Sequence, residues 1–368
     1  MKRTISVKLK VLPEQNQALL ELQEQFSSAC NQTVEMAVEH SESNRVKLHH
    51  LSYYSLRKSF PNLGAQMCCN AIAKTSQSLK VLKKYKPVVF RKESSVHFDK
   101  KTYSLKNDIL SLFTLQGRIR IKLEICSFHQ SFLDRGKLKE AELVRKGKRW
   151  FFHLVLDLPD IPVVVSNGAL GVDFGENVLA ATSTGKLFEG GELRATRDKF
   201  LAHRKRLQSK GSQAAKSRLR KISGRENRHV RHVNHCVAKE IVQEAKRNDC
   251  AAIFLEDLRN IRQRVKAGKK VRSRLHRWPF DQLREFVEYK ANAQGIDVLY
   301  VNPAYTSKTC SSCLSPGDRL KHRFYCSNCG NLQHSDLNAS RTILRFGLSI
   351  DRPTGDVNRR YIAASNGR

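Results

Sequence analysis

Four of the chain's ten cysteines stand in two pairs, Cys310-x2-Cys313 and Cys326-x2-Cys329, with twelve residues between the pairs. Four thiolates at this spacing close a tetrahedral shell around Zn²⁺. A shell closed by four protein ligands leaves no position for a substrate, so the expectation is one structural Zn²⁺. A disulfide pair or a redox-active CxxC fits two paired knuckles poorly. Gly330 suits the tight second knuckle, whereas Leu314 stands where a glycine would serve the first. The segment runs directly into an acidic residue, Asp336.

Two more carboxylates sit at the ends of apolar runs. Asp173 follows Ala169-Leu170-Gly171-Val172, and Glu256 follows Ala251-Ala252-Ile253-Phe254-Leu255. Strands of one sheet can bring these two together, and a helix starting near Asp336 can lay the third beside them. Clustered carboxylates raise one another's pKa unless a cation neutralises them. Hard oxygen donors favour Mg²⁺ or Mn²⁺, and two such ions stabilise both the attacking and the leaving oxygen in phosphodiester hydrolysis. Asp173, Glu256 and Asp336 are therefore the expected catalytic residues and ligands of two Mg²⁺ (or Mn²⁺) ions. Asp257 is the rival to Glu256, which is preferred because it directly follows the apolar run and has the longer arm.

The charge points to a polyanionic partner. Formal net charge is +33, from 67 Lys+Arg against 34 Asp+Glu, and self-repulsion on this scale is relieved by binding nucleic acid. The basic residues are concentrated in two stretches. Between Arg197 and Arg231 thirteen residues are Lys or Arg, and between Arg262 and Arg277 there are eight, with no acidic residue in the second stretch. From these stretches Arg204, Lys205, Arg206, Arg218, Arg220, Lys221, Arg228, Arg231, Arg272, Arg274 and Arg277 are the expected nucleic-acid contacts. Neither stretch carries the bulky apolar face that a membrane surface would require. No apolar run approaches the length of a transmembrane helix, and the opening Met1-Lys2-Arg3-Thr4 is not of signal type, so a cytoplasmic protein with no membrane partner is expected. Cys30, Cys68, Cys69, Cys126, Cys236 and Cys250 are scattered in apolar stretches and read as buried thiols of a reducing compartment.

The elements that must carry these residues follow from periodicity. "TISVKLKV" (4–11) alternates as a strand, and Pro13 opens a helical pattern reaching His40. A second helix fits "GAQMCCNAIAKTSQSLKVLKKYK". From Val88 to Leu158 the chain turns to strands: "PVVFRK", "SVHFD", "TYSLKN", "ILSLFT", "RIRIKLEI" and "RWFFHLVLDL". One strand, a helical insertion and further strands suggest a small barrel. The second half begins as an antiparallel meander, "ALGVDFGENVLAATSTGKLFEGGEL". A basic helical region (197–248), the buried strand "CAAIFLEDL", a helix over 279–294, the strand "IDVLYVNP", the cysteine segment and a helix over 336–346 follow. That order is the order of an RNase H-like nuclease core. The expected class is α+β and multidomain, a small N-terminal β-barrel with a helical insertion and a C-terminal RNase H-like α/β core carrying a four-cysteine ribbon.

The pieces "GVDFG", "FLEDL", "YTSKTCSSC", "CSNCG" and "SDLNAS" resemble the TnpB (OrfB) proteins of bacterial insertion sequences, relatives of the compact type V CRISPR effectors. The resemblance implies a wedge barrel (1–12 and 86–160), a helical recognition insert (13–85), a split RuvC-like nuclease core (167–304 and 334–350), a zinc ribbon (305–333) and a flexible tail (351–368). It also implies a guide RNA derived from the element's end and cutting of guide-matched double-stranded DNA. Asp173, Glu256 and Asp336 fall on the family's catalytic positions, and Cys310, Cys313, Cys326 and Cys329 on its zinc ligands. A short target-adjacent DNA motif would be read by the first 160 residues, where "NRVKLHHLSYYSLRKSF" offers base-contacting side chains. Tyr53, Tyr54 and Trp278 are candidates for stacking on bases. The chain departs from the family where an acidic-Arg pair often precedes the last Asp, having His334-Ser335, and at Asn338-Ala339-Ser340 with Thr342 beyond. Three other readings compete: an RNA-guided DNA-binding regulator without cleavage, a DNA strand-transferase, and a non-catalytic zinc-ribbon nucleic-acid binder.

Overall fold

The computed structural model describes residues 2–81, 88–259, 268 and 280–349, and the chain divides into two units, Met1–Asp160 and Ile161–Arg368. The first runs β1 (Lys2–Leu9), α1 (Pro13–Glu39), α2 (Arg45–Ser59), α3 (Ala65–Val81), β2 (Val96–Phe98), β3 (Tyr103–Lys106), β4 (Ile109–Thr114), β5 (Gly117–Lys122), α4 (Ser127–Leu133), β6 (Lys137–Lys146) and β7 (Arg149–Asp157). Its strands form one antiparallel sheet in the order β1-β7-β6-β2 and a separate meander β3-β4-β5. Alternation in β1 buries Ile5, Val7 and Leu9 against the same core as Leu22 and Phe26 of α1, Met67 of α3 and Trp150 and Phe152 of β7. Each such side chain contributes about 1.5–3 kcal/mol by leaving water.

Several expectations for this unit are corrected. The described part of "PVVFRK" is not a strand. The side chain of Asn31 takes the place of a neighbouring strand, accepting from the Phe90 N–H at 2.8 Å and donating to the Phe90 carbonyl at 2.9 Å. Strand β6 escaped the sequence reading because it is rich in Lys and Glu, buries only Ala141 and Leu143, and carries a register shift between Leu138 and Ala141 that breaks the period-two pattern. The segment after Asn44 is the helix α2, capped by the Asn44 side chain. Cys30 and Cys68, and Cys250 of the second unit, are buried thiols as expected, but Cys126, and Cys236 of the second unit, are exposed and Cys69 is half-buried.

The second unit runs β8 (Gly168–Asp173), β9 (Val178–Thr182), β10 (Leu187–Glu189), α5 (Gly191–Lys210), α6 (Gln213–Arg247), β11 (Cys250–Glu256), α7 (Phe280–Asn292), β12 (Asp297–Val301), β13 (Asp318–Leu320), β14 (Arg323–Tyr325), β15 (Leu332–His334) and α8 (Ser335–Leu348). Five strands form one sheet in the order β10-β9-β8-β11-β12, antiparallel through the meander and parallel across β8-β11-β12. Strand β11 is buried on both faces, which explains its unbroken apolar run. Ile253 and Leu255 pack with Ile241 of α6 and Phe286 of α7, while Ala252 and Phe254 pack with Ile343 of α8. Helix α8 approaches β8 at Gly171, where a Cβ would lie 2.2 Å from the Ser340 carbonyl oxygen. The basic helical region is a hairpin of two helices, broken where the Ser212 side chain caps α6 by accepting from the Ala215 N–H at 3.2 Å. Among the described residues no helix is long and apolar enough to cross a membrane.

Candidate active site

Parallel pairing of β8 with β11 sets Val172 beside Leu255, so the next residue of each strand, Asp173 and Glu256, leaves the sheet at the same carboxyl end. In open α/β sheets this is where ligands bind. Asp336 arrives from the first turn of α8. All three line one cavity of about 520 Å³ together with Thr306, Arg319, Lys321 and His322. The expected convergence of carboxylates from three elements is therefore present.

Electrostatics within the cavity follow from that crowding. Burial, then the charge of Glu256, then that of Asp336 push the Asp173 carboxyl well above its usual range, with Arg319 opposing. Burial likewise raises Glu256, against the Thr306 hydroxyl, which donates to its Oε1, and against Arg319. Arg319 Nη2 donates to Asp336 Oδ1 at 2.7 Å, and the Ser335 hydroxyl reaches the same oxygen at 3.2 Å. An oxygen-only donor set held under mutual repulsion is the environment that a hard divalent cation relieves, so these three residues fit Mg²⁺ or Mn²⁺. Asp257 is placed otherwise. It is not among the residues lining the cavity, and the Arg259 guanidinium, donating from Nε at 2.6 Å, holds its carboxyl below the ordinary range.

The four cysteines also converge, each offering a sulfur within 4.8 Å of the other three. Cys310 and Cys329 stand 3.6 Å apart, and Cys313 and Cys326 3.5 Å apart. The two knuckles are built alike. The N–H of Leu314 donates to the Cys310 carbonyl and that of Gly330 to the Cys326 carbonyl, both at 2.9 Å. The sixth residue of each accepts in return, with Cys310 N–H donating to the Ser315 carbonyl at 2.9 Å and Cys326 N–H to the Asn331 carbonyl at 3.0 Å. Both Leu314 (φ +64°) and Gly330 (φ +70°) take the left-handed backbone, so a leucine here does what the second knuckle gives to glycine. Amide and side-chain donors around Cys313, the Ser315 amide first, bring its thiol down to about 5. Four thiols converging at this separation fit Zn²⁺.

Residues of α8 clamp the first knuckle. Asn338 Oδ1 accepts from the Ser311 N–H at 2.9 Å and its Nδ2 donates to the Thr309 carbonyl at 2.7 Å, where the Thr342 hydroxyl also donates at 3.1 Å. Arg345 adds bonds to the Ser311 and Ser312 carbonyls at 2.8 and 2.6 Å. The departures at Ser340 and Thr342 are thus buried structural contacts, the Ser340 hydroxyl donating to the Leu337 carbonyl at 2.9 Å. His334 caps α8, its Nδ1 accepting the Asp336 N–H at 3.3 Å, and Ser335 is buried.

The expected nucleic-acid contacts divide. Lys205, Arg206, Arg218, Arg220, Lys221 and Arg228 are exposed along α5 and α6. Arg231 is exposed but lies over the Phe286 ring at 5.9 Å. Arg204 is half-buried and ion-paired with the buried Glu226, which Arg197 also meets at 3.5 Å. Arg272, Arg274, Arg277 and Trp278 lie outside the described residues. Tyr54 is exposed, whereas Tyr53 is stacked on His49 with centroids 4.8 Å apart. Sequence reasoning missed Thr306 and Arg319. The only local signal was their place on either side of the first cysteine pair, in a segment already bound for Asp336.

Two family models match: the one described as "Probable transposase" (OrfB_IS605) over residues 153–262, and "Cas12f1-like, TNB domain" over residues 280–343. A TnpB-like protein of Methanocaldococcus jannaschii is 38% identical over 273 residues, which cover 67% of this chain and 94% of that one. The CRISPR-associated endodeoxyribonuclease Cas12f1 of Sulfoacidibacillus thermotolerans is 29% identical over 219 residues, covering 54% of this chain and half, 50%, of that protein. Among solved structures, the fold is similar to that of the protein in a Cas12f1–sgRNA–target DNA complex, with a TM-score of 0.66 at 16% identity over 90% of this chain and 83% of that one. With near-complete coverage of the archaeal protein at that identity, the chain belongs to the TnpB-like family.

Proposed function

We propose that the chain is an RNA-guided DNA endonuclease of a transposable element, hydrolysing phosphodiester bonds of guide-matched double-stranded DNA next to a short target-adjacent motif. The observation that carries this reading is the meeting of Asp173, Glu256 and Asp336 on one cavity. The name of the Cas12f1 relative supports it. In this reading residues 167–304 and 334–350 are a RuvC-like, RNase H-like core and 305–333 a zinc ribbon. Residues 1–12 and 86–160 are a wedge barrel, and 13–85 the helical recognition insert.

Asp173, Glu256 and Asp336 are the residues to hold two Mg²⁺ or Mn²⁺ ions, and Cys310, Cys313, Cys326 and Cys329 to hold one structural Zn²⁺. When bound, the pair of Mg²⁺ ions supplies activation of water and stabilisation of the leaving oxygen. The chain's own side chains do the positioning. Thr306 orients Glu256 by its hydroxyl, and Arg319 holds Asp336 while offering positive charge beside the cavity. Exposed basic residues of α5 and α6 take RNA or heteroduplex phosphates, base pairing supplies sequence specificity, and the protein reads the duplex by shape and backbone.

The test is cleavage by protein expressed with its native flanking DNA, so that any guide copurifies. Asp173→Ala, Glu256→Ala and Asp336→Ala each abolish cutting of a guide-matched duplex while keeping guide and target binding, and Asp257→Ala cuts nearly normally. Cutting by all three alanine variants overturns the reading. The description "Probable transposase" favours a second reading, strand transfer, and joining of supplied donor ends in the same assay would select it.

A further inference from the structure

A second group of ligand-type side chains converges on the rim of the same cavity. His322, His334 and Asp336 each bring a ligand atom within 4.8 Å of the other two. The two imidazoles are near-parallel, 21° apart, with centroids separated by 5.6 Å. Backbone contacts build this placement. Leu320 pairs with Arg323, which makes Lys321-His322 the two-residue turn of the β13–β14 hairpin. Ser335 ties that turn to the start of α8, its N–H donating to the His322 carbonyl at 2.9 Å and its hydroxyl to the Lys321 carbonyl at 3.2 Å. His334 faces Arg323 across β14–β15 and turns its Nδ1 toward the Asp336 amide at 3.3 Å. Asp336 gives Oδ1 to Arg319 and Ser335, which leaves Oδ2 for a further partner.

Two imidazoles and one carboxylate form a donor set for borderline transition metals, Zn²⁺, Ni²⁺ or Cu²⁺, rather than for Mg²⁺. We propose that His322, His334 and Asp336 form a second transition-metal site, separate from the cysteine shell and sharing only Asp336 with the carboxylate centre. A neutral imidazole has one lone pair, so His334 transfers the Nδ1 pair from the Asp336 amide to the metal and gives up a long cap bond. His322 is exposed on its turn, so its ring is free to rotate to the roughly 2.0–2.1 Å that metal–imidazole bonds require. An ion held here withdraws Asp336 from the Mg²⁺ centre, making the site inhibitory. That consequence rests on the nuclease reading, whereas the site itself does not.

The experiment uses tag-free, full-length protein that already holds cysteine-bound zinc, titrated with Co²⁺ in excess Mg²⁺ and followed by absorption. Wild type takes up one further Co²⁺ with d–d bands and no new thiolate charge-transfer band. His322→Ala weakens this uptake by at least about tenfold with an unchanged thermal midpoint, and Asp173→Asn retains it. Equal uptake by wild type and His322→Ala, or no further uptake by wild type, overturns the proposal. In a parallel cleavage assay added Zn²⁺ slows wild type more than His322→Ala. A wild type that binds the extra ion but cuts no DNA removes the nuclease reading alone, and one that cuts but binds no extra ion removes the site alone.

Discussion

A buried carboxyl group keeps its proton longer than the same group in water, the more so beside other carboxylates, and Asp173 is such a group. Its folded-state pKa is raised, so at pH values between the ordinary carboxylate range and the raised value the folded chain binds more protons than the unfolded one. Stability of the metal-free protein therefore falls as pH rises through that window. Removing the charge removes the fall. Asp173→Asn is expected to raise the metal-free thermal midpoint at neutral pH, by roughly 2–4 °C for each kcal/mol of desolvation and repulsion relieved in a unit of this size, while losing Mg²⁺-dependent cutting. Calorimetry of both proteins in chelator, from acidic to neutral pH, checks the sign. An Asn variant that melts no higher than wild type contradicts the assignment of a destabilised carboxylate, buried and repelled, at this site.

Two elements fix how closely the acids meet. The first knuckle holds Leu314 in the left-handed region, which costs an L-residue about 1–2 kcal/mol, and its side chain is 46% exposed and loses little packing on removal. Leu314→Gly should therefore stabilise the zinc-loaded protein by roughly 0.5–1 kcal/mol after the glycine entropy cost. Gly330→Ala should destabilise it by about 1 kcal/mol, since nothing lies within 4 Å of the added Cβ and only backbone strain remains. Paired thermal melts read the opposite signs directly. Helix α8 is the second element. A Cβ at Gly171 would lie 2.2 Å from the Ser340 carbonyl and 2.7 Å from the Leu344 amide, clashes that only movement of the helix relieves. Gly171→Ala is expected to cost about 1–3 kcal/mol and, by shifting Asp336, to slow cutting by about a hundredfold. Cutting at the wild-type rate by a stably folded variant would show that α8 does not set the position of Asp336.

Across the whole molecule the dominant property is the +33 charge, and exposure determines which cations are available to a polyanion. Arg218, Arg220 and Lys221 are exposed on α6, whereas Arg204 serves Glu226 between the two helices of the hairpin. Replacing the exposed three with Gln should weaken RNA or DNA binding. It should also flatten the dependence of log affinity on log salt by about 0.7–0.9 for each phosphate no longer neutralised. Arg204→Gln should instead lower stability by roughly 1–3 kcal/mol, by leaving the buried Glu226 carboxylate short of a donor, and leave the salt slope unchanged. Binding isotherms over a range of salt concentrations, with thermal melts of the same proteins, separate the two effects.

Features that depend on a few neighbouring residues could be read from the chain alone. The cysteine spacing set the knuckle, the apolar run of β11 announced a strand buried on both faces, and the order of strands and helices in the second unit was legible because each carries its own period. Asp173 and Glu256 could be named because each stands at the end of such a run, and Asp336 because the cysteine segment runs into it. Other features appear only when distant segments pack. Asn31 replaces a strand at Phe90 from another element, and β6 is a strand because Ala141 and Leu143 find a core, not because its own pattern alternates. Arg319, Thr306 and His322 reach the acids through the ribbon hairpin and the loop before it, and Arg204 is drawn inward by Glu226. Periodicity records which face of an element is apolar. Which groups then share a cavity, and which cations remain in water, is decided by non-local packing, where desolvation and pairing compete.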